Sequence, residues 1–404
     1  MKLIFVNRYF FPDHSATSQI LSDLAFHLAS QPGREVWVVT CRQRYDVPAE
    51  DLPARETIRG VHVCRVWTTR FGRGGLLGRA LDYLTFYPTA GWELLRLARR
   101  GDVLIAKTDP PLIAVVAGVV ARLRRASLVN WVQDVFPEVA VALGLKLPFA
   151  GVVRRVRNAS LRSAQAIVVV GARMAAWARA QGVPEDRIVM ISNWADGNAI
   201  RPLALADNPL RREWGLDGKF VVGYSGNLGR AHEFSTVIDA ADRLRSEADV
   251  VFLFIGGGHG LAAVEEQVKG RRLPNVRCLP YQPRESLGLS LGVPDLHWIS
   301  LRLELEGLVV PSKAYGVLAA GRPVLMVGDP DGEVGRLIRA CGCGETIEIG
   351  NDAGLVEAVL RLRRNPQLCE RLGSRAREAY EANFTPGHAF SAWDRLLSKV
   401  GVQR

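Results

Sequence analysis

Short apolar runs separated by longer helical stretches recur along the chain twice over, and this alternation constrains the fold more than any other feature. In the first half, the runs that fit strands are 3–7, 35–40, 61–67, 102–107, 127–132, 166–170 and 188–192. In the second half they are 220–224, 250–256, 276–280, 295–300, 323–327 and 346–349. Apolar strands joined by helices imply a parallel sheet covered on both faces. At 404 residues the chain is too long for one ordinary domain. The turn-rich stretch 193–209 has neither periodicity and marks the seam. Residues 1–192 and 193–385 are therefore expected to form two α/β domains, and 386–404 an amphipathic terminal helix. Each domain should be a Rossmann-like, doubly wound parallel sheet. Ligands bind outside the carboxyl ends of such strands, so the two domains are expected to face across a cleft.

Composition narrows the class. The chain is 48% hydrophobic and 23% charged, as in globular proteins. Its six cysteines, Cys41, Cys64, Cys278, Cys341, Cys343 and Cys369, form no Cys-x-x-Cys pair and have no histidines at zinc-like spacing. Reduced thiols in a cytoplasmic protein are expected, with no metal. The opening "MKLIFVN" turns polar too early for a signal peptide. The run "PPLIAVVAGVVA" at 110–121 is too short to cross a bilayer and reads as a buried helix.

The placement of charge says more than the net +11. Residues 1–192 hold 26 Lys and Arg against 15 Asp and Glu, whereas 193–404 hold 26 of each. The whole excess lies in the first half, so one domain is expected to meet an anionic surface. No helix-turn-helix, zinc-finger or RNA-stacking signature accompanies it, which argues against nucleic acid. The segment 70–102 mixes Leu, Phe, Tyr and Trp with Arg73, Arg79, Arg96, Arg99 and Arg100, and "RLRR" (122–125) and "RRVR" (154–157) add to it. Basic, amphipathic segments of this kind can lie in an anionic membrane interface.

Several strand ends carry candidate site residues. After the first strand, "NRYFFPDHSATSQ" leads into a helix near Ser15, whose free N–H groups favour an anion; His14, Ser15 and Thr17 are candidates there. "WVQDVFPE" puts Asp134 at a strand's carboxyl end with Glu138 four residues on, either of them a base or a ligand for a sugar hydroxyl. Helix capping is an equal reading of that pair. In "YSGNLGRAHE", Gly226 and Gly229 allow close backbone approach, while Arg230 and His232 could meet phosphate oxygens. Gly257 lies in a second strand–glycine turn, "FIGGG". In "EGLVVPSKAYGVLAAGRPV", Pro311 suits a first helical position, so Ser312 and Lys313 would occupy the first turn, with Lys313 a phosphate hook.

Taken in order, "NRYFFPDHSATSQ", "TDPPL", "WVQDVFPE", "ISNWADG", "YSGNLGRAHE", "FIGGG" and "EGLVVPSKAYGVLAAGRPV" resemble glycosyltransferase family 4 of the GT-B fold. The likeness extends over nearly the whole chain. It points to the bacterial enzymes that build O-antigen, capsule or exopolysaccharide. It implies a first domain that receives the acceptor and a second that holds a nucleotide sugar, often linked to UDP. It also implies a terminal helix that crosses back to the first domain. Transfer would retain anomeric configuration and need no metal or other cofactor. Carried over by position, Gly226, Asn227, Arg230 and Lys313 would lie near the donor diphosphate. His232 stands where many relatives have a lysine, and Glu306 and Gly307 would face the sugar. The family's ribose-binding glutamate falls on Gly316, so that contact must come from elsewhere.

These expectations describe a retaining glycosyltransferase at the inner face of the cytoplasmic membrane. It would move a hexose or N-acetylhexosamine from UDP to a lipid-linked or glycan acceptor, with Asp134 and Glu306 as its catalytic candidates. Two other readings use the same fold. A UDP-sugar epimerase would act on the nucleotide sugar alone, and a peripheral membrane subunit would bind donor without transferring it.

Overall fold

The computed structural model describes residues 1–13, 15–44, 52–72 and 75–402. The chain divides into two compact units, the first of residues 1–192 with 389–404 and the second of residues 193–388.

Unit 1 holds strands β1 (Lys2–Val6), β2 (Glu35–Cys41), β3 (Arg55–Ile58), β4 (Val61–Val66), β5 (Val103–Lys107), β6 (Ser127–Trp131), β7 (Ala166–Val169) and β8 (Ile188–Met190). They form one sheet in the order β3-β4-β2-β1-β5-β6-β7-β8. Its helices are α1 (Ala16–Ala29), α2 (Leu76–Leu97), α3 (Ile113–Arg124), α4 (Glu138–Ala142), α5 (Ala150–Ser163) and α6 (Ala172–Ala180). Every residue of β5 is buried, as expected of a central strand covered on both faces. Right-handed crossovers put α1 on one face of the sheet and α2, α3 and α5 on the other, because the chain steps along the sheet in opposite directions through them.

Each apolar run read from the sequence is a strand. The edge strand β3 was not foreseen: it pairs antiparallel with β4, and its residues are exposed or half-buried, so it has no apolar run to betray it. The 110–121 run does form a helix, α3, but not a wholly buried one. Ile113, Ala117, Val120 and Ala121 are buried, whereas Val119 and Leu123 are exposed.

Unit 2 holds α7 (Pro209–Glu213), α8 (Ser235–Arg243), α9 (His259–Arg271), α10 (Leu287–Leu291), α11 (Lys313–Ala319), α12 (Glu333–Cys341), α13 (Asp352–Arg364) and α14 (Pro366–Asn383). Its strands are β9 (Phe220–Asn227), β10 (Val250–Gly257), β11 (Val276–Leu279), β12 (Leu296–Ser300), β13 (Val324–Val327) and β14 (Gly344–Ile347). The order is β11-β10-β9-β12-β13-β14, and all pairs are parallel. Its core centres on aromatic contacts: the Tyr224 and Trp298 rings lie 4.6 Å apart, and Phe254 meets Trp298 edge-on at 5.5 Å.

The last helix, α15 (Pro386–Val402), joins unit 1 from Ala389 onward. Trp393 is fully buried and meets Trp131 of β6 edge-on at 4.7 Å. Beside it, Asp394 accepts hydrogen bonds from Arg34 at 2.7 Å, Gln31 at 3.1 Å and His27 at 3.3 Å. Burial pulls the Asp394 pKa up, but these bonds outweigh it and hold the carboxyl below its ordinary value. The aromatic contact dominates energetically, because the ion pair is partly solvated. Trp393→Ala should cost unit 1 about 3–5 kcal/mol in denaturant unfolding, and Asp394→Ala about 1 kcal/mol. Equal costs for the two variants would contradict this ranking.

Candidate active site

Doubly wound sheets collect ligand-binding residues where the strand order reverses. In unit 2 the reversal lies between β9 and β12. Strand β9 ends in Gly226 and Asn227, which pair in register with Gly256 and Gly257 of β10. Gly226 and Gly256 have φ of 120° and 136°, a region open mainly to glycine. A Cβ on Gly256 would lie 2.2 Å from the Gly226 carbonyl oxygen. One on Gly226 would lie 2.9 Å from Cε of Lys313. The two glycines therefore let the strand ends and the lysine stem approach one another.

Lys313 opens α11. Its Nζ lies 2.9 Å from His232 Nε2 and 5.3 Å from the centre of the Tyr224 ring. His232 Nδ1 lies 2.7 Å from the Ser300 carbonyl oxygen at the end of β12. A carbonyl can only accept, so Nδ1 carries the hydrogen and Nε2 accepts from the lysine. Burial, reinforced by the Lys313 charge, pushes the His232 pKa down to about 3, leaving the ring neutral. Burial alone brings Lys313 down to about 8. The ammonium is thus held on a neutral ring, and its charge is not cancelled by that partner. Ser300 also fixes the loop through its hydroxyl, which accepts from Glu233 N at 3.1 Å.

The other expected donor-side residues are disposed as follows. Asn227 and Arg230 are exposed, and Arg230 makes no hydrogen bond or ion pair among the described residues. A Cβ on Gly257 would lie 2.8 Å from the Tyr281 ring. Pro311 is not the first helical residue, contrary to expectation. The first turn closes through the Pro311 and Ser312 carbonyls, which accept from Ala314 N and Tyr315 N at 3.3 Å, so the helix begins at Lys313. Ser312 takes the N-cap position but makes no side-chain capping bond. Glu306 is half-buried, and its Oε2 accepts from Glu333 N at 3.2 Å, at the start of α12, where the helix dipole favours a carboxylate. Gly307 is buried with φ of 77°. At Gly316 a Cβ would meet Leu291 at an ordinary 3.5 Å, so packing does not demand glycine there.

In unit 1 the order reverses between β1 and β5. Lys107 ends β5 in full burial, with Nζ donating to the Thr17 carbonyl at 2.9 Å and lying 4.0 Å from the Trp131 ring centre. Burial drives its pKa well down, against the opposing charges of Asp134, Asp109 and Asp23. Asp134 follows β6, and burial raises its pKa to about 6 against the pull of Lys107. The residue nevertheless keeps an exposed surface, so protein crowds the carboxyl without sealing it from water. Ser15 stands at the N-cap of α1, but its hydroxyl is buried with no hydrogen-bond partner among the described residues. Thr17 contributes its carbonyl to Lys107. Glu138 is gripped by Arg157 at 2.7 and 2.9 Å, and Arg154 lies at 3.6 Å, so the carboxylate ties α4 to α5. His14 and Arg73 lie outside the described residues.

Sequence reasoning missed Lys107, Tyr224 and Ser300. A lysine closing the otherwise apolar strand "VLIAK" was an available signal for the first. Tyr224 and Ser300 read as ordinary strand residues, and only the folded sheet brings them to Lys313 and His232. Among the described residues, no group of three or more His, Cys, Asp or Glu is placed to hold a metal ion.

Comparison with known proteins identifies the family. Residues 16–194 match the glycosyl transferase 4-like domain, and 207–379 match the glycosyl transferases group 1. A Pseudomonas aeruginosa protein named as a glycosyltransferase, WbjE, is 31% identical over 283 residues, covering 68% of this chain and 69% of its own. The chain belongs to glycosyltransferase family 4. This glycosyltransferase is also 27% identical over 386 residues to WcaI of Escherichia coli (strain K12), named as a colanic acid biosynthesis glycosyl transferase. That match covers 90% of this chain and 94% of WcaI. The crystal structure of Anabaena Alr3699/HepE in complex with UDP superposes with a TM-score of 0.73 at 15% identity, covering 99% and 100% of the two chains. The two parallel-sheet units of the transferase are those of the GT-B fold.

The Lys313 environment makes a direct prediction. In the free transferase its ¹³Cε resonance should titrate near pH 8, about two units below an ordinary lysine. A midpoint near 10 would show that the ammonium is hydrated rather than buried against His232.

Proposed function

We propose that the transferase moves a hexose or N-acetylhexosamine from a UDP-sugar to a membrane-associated glycan or polyprenyl-linked acceptor, with retention of anomeric configuration. The observation that carries this is the uncancelled Lys313 ammonium beside the glycine-lined ends of β9 and β10. Breaking the bond between sugar and diphosphate leaves negative charge on the β-phosphate. A fixed cation and close backbone N–H groups lower the cost of that charge. Arg230, exposed at the same strand end, would add a second cation. UDP is favoured as the nucleotide because a structural neighbour of the same fold binds it. Polysaccharide biosynthesis is favoured by the name of WcaI.

In the front-face form of this reaction, an acceptor hydroxyl oxygen bonds to the anomeric carbon as the carbon–oxygen bond to phosphate breaks. UDP leaves with that electron pair, and the acceptor proton passes to its departing phosphate oxygen. Lys313 and Arg230 would hold the diphosphate, and Glu306, fixed by Glu333 N, would accept from sugar hydroxyls. Asp134 would orient the acceptor in unit 1. The ribose hydroxyls would be bound without a carboxylate at Gly316. The charge is carried by these side chains, so chelation should leave the rate unchanged. The basic unit 1 would keep the enzyme at the inner face of an anionic cytoplasmic membrane, where lipid-linked acceptors lie.

A panel of nucleotide sugars with lipid-linked acceptors tests this reading, with product anomers read by NMR. An α-linked product from an α-linked donor is expected; an inverted product would exclude retention. Lys313→Ala and Arg230→Ala should each weaken UDP binding by about 1.5–3 kcal/mol in calorimetry. Unchanged affinity in both would remove the phosphate assignment. Asp134→Asn should lower turnover while donor affinity holds; wild-type turnover would leave Asp134 a structural residue.

A further inference from the structure

We propose that a cavity in unit 1, with Asn130 at its inner end, receives the hydroxymethyl arm of an uncharged hexose in the acceptor. This rests on the acceptor reading above and names the group that unit 1 recognises. The cavity lies among β5, β6, α3 and α5. Asn130 stands on β6 in register with Ala106 of β5, whose single methyl leaves room beside it. Asn130 is 1% exposed, yet neither its Oδ1 nor its Nδ2 has a hydrogen-bond partner among the described residues. Buried amides are almost always paired, and one left unpaired costs free energy. An apolar residue would suit this strand position better, so the amide marks a site whose partner arrives with a ligand.

Size and walls narrow that ligand. The cavity measures about 40 Å³. One water needs about 10–15 Å³ of such space, so roughly three heavy atoms fit. Ile113, Val115, Val132, Val135 and Leu161 give it apolar walls. Three polar side chains along it are already engaged. Arg157 donates to Glu138 at 2.7 and 2.9 Å and to the Phe136 carbonyl at 2.8 Å. The Ser160 hydroxyl donates to the Ala114 carbonyl at 2.9 Å, and the Thr108 hydroxyl accepts from Gln133 N at 3.0 Å.

The amide then sets the chemistry. It presents a donor and an acceptor side by side, and a hydroxyl satisfies both, donating to Oδ1 while accepting from Nδ2. A carboxylate cannot donate, and the Arg157 charge that could attract it is met by Glu138. An ammonium cannot accept, and a methyl leaves both amide atoms unpaired. The N–H and carbonyl of an acetamido group point in opposite directions, so it reaches one of the two. The C5–C6–O6 arm of a hexose supplies three heavy atoms, with carbon for the apolar walls and a terminal hydroxyl for Asn130. The lining runs from Asn130 to Asp134, which keeps an exposed surface. An arm entering there would leave the ring hydroxyls beside the Asp134 carboxyl. Sugars with a methyl or a carboxylate at that position are excluded by the same chemistry.

Ligand-observed NMR titration of the full chain tests the proposal. The probes are the methyl α-pyranosides of glucose, galactose and mannose, with their 6-deoxy counterparts. At least one parent sugar should bind tenfold or more tightly than its 6-deoxy form. Asn130→Leu should abolish that preference and melt at or above the wild-type temperature, because it removes two unpaired polar atoms. Ala106→Val fills the cavity and should weaken the parent sugar about tenfold, with the amide still present. UDP calorimetry should be unchanged in both variants. If Asn130→Leu fails to fold, Ala106→Val decides. Equal affinity for parent and 6-deoxy sugars, unchanged binding in the folded variants, or no binding by any of these sugars would overturn the proposal. So would a lower melting temperature in Asn130→Leu with sugar binding unchanged, the mark of an amide paired with structural water. Loss of UDP binding in the wild type would instead count against the donor reading and leave the sugar result standing.

Discussion

A lysine ammonium resting on a neutral histidine is the interaction on which the donor-side chemistry depends. A carboxylate partner would hold Lys313 as firmly but would cancel its charge. The Ser300 carbonyl excludes that outcome by fixing the His232 hydrogen on Nδ1, so that Nε2 faces the lysine as an acceptor. Burial completes the arrangement by keeping the ring unprotonated. The cation is thus positioned without being neutralised by its partner, as a site for a departing diphosphate requires.

The fold makes this possible through glycine and through topology. Gly226 and Gly256 lie in register on adjacent strands, and any side chain on Gly256 would run into the Gly226 carbonyl. The switch of strand order between β9 and β12 brings the Ser300 end of β12 beside them. Unit 1 follows the same rule with different chemistry: at its own switch point a buried lysine is tied to a helix carbonyl, and a carboxyl with a raised pKa lies nearby.

The sheets were legible in the sequence because buried parallel strands leave continuous apolar runs. β3 was not, because an exposed edge leaves none. Lys313, Gly226 and Glu306 could be named from motif order, but what holds them could not. The His232–Ser300 contact spans 68 residues: His232 was named as a phosphate contact, not as a lysine's partner, and Ser300 reads as an ordinary strand residue. Glu138 shows the converse. Its position after a strand suggested ligand chemistry, while its partner Arg157, 19 residues on, was read only as part of a basic cluster. The exposed flank of α3 was hidden for a similar reason, since an apolar run does not declare which of its faces is covered.

The most direct test of the account is a structure of the transferase with UDP bound. The β-phosphate is predicted within hydrogen-bond distance of Lys313 Nζ and beside the backbone at Gly226, with the contact between Lys313 and His232 retained. UDP seated away from β9 and α11, or Lys313 turned from the phosphate, would contradict it.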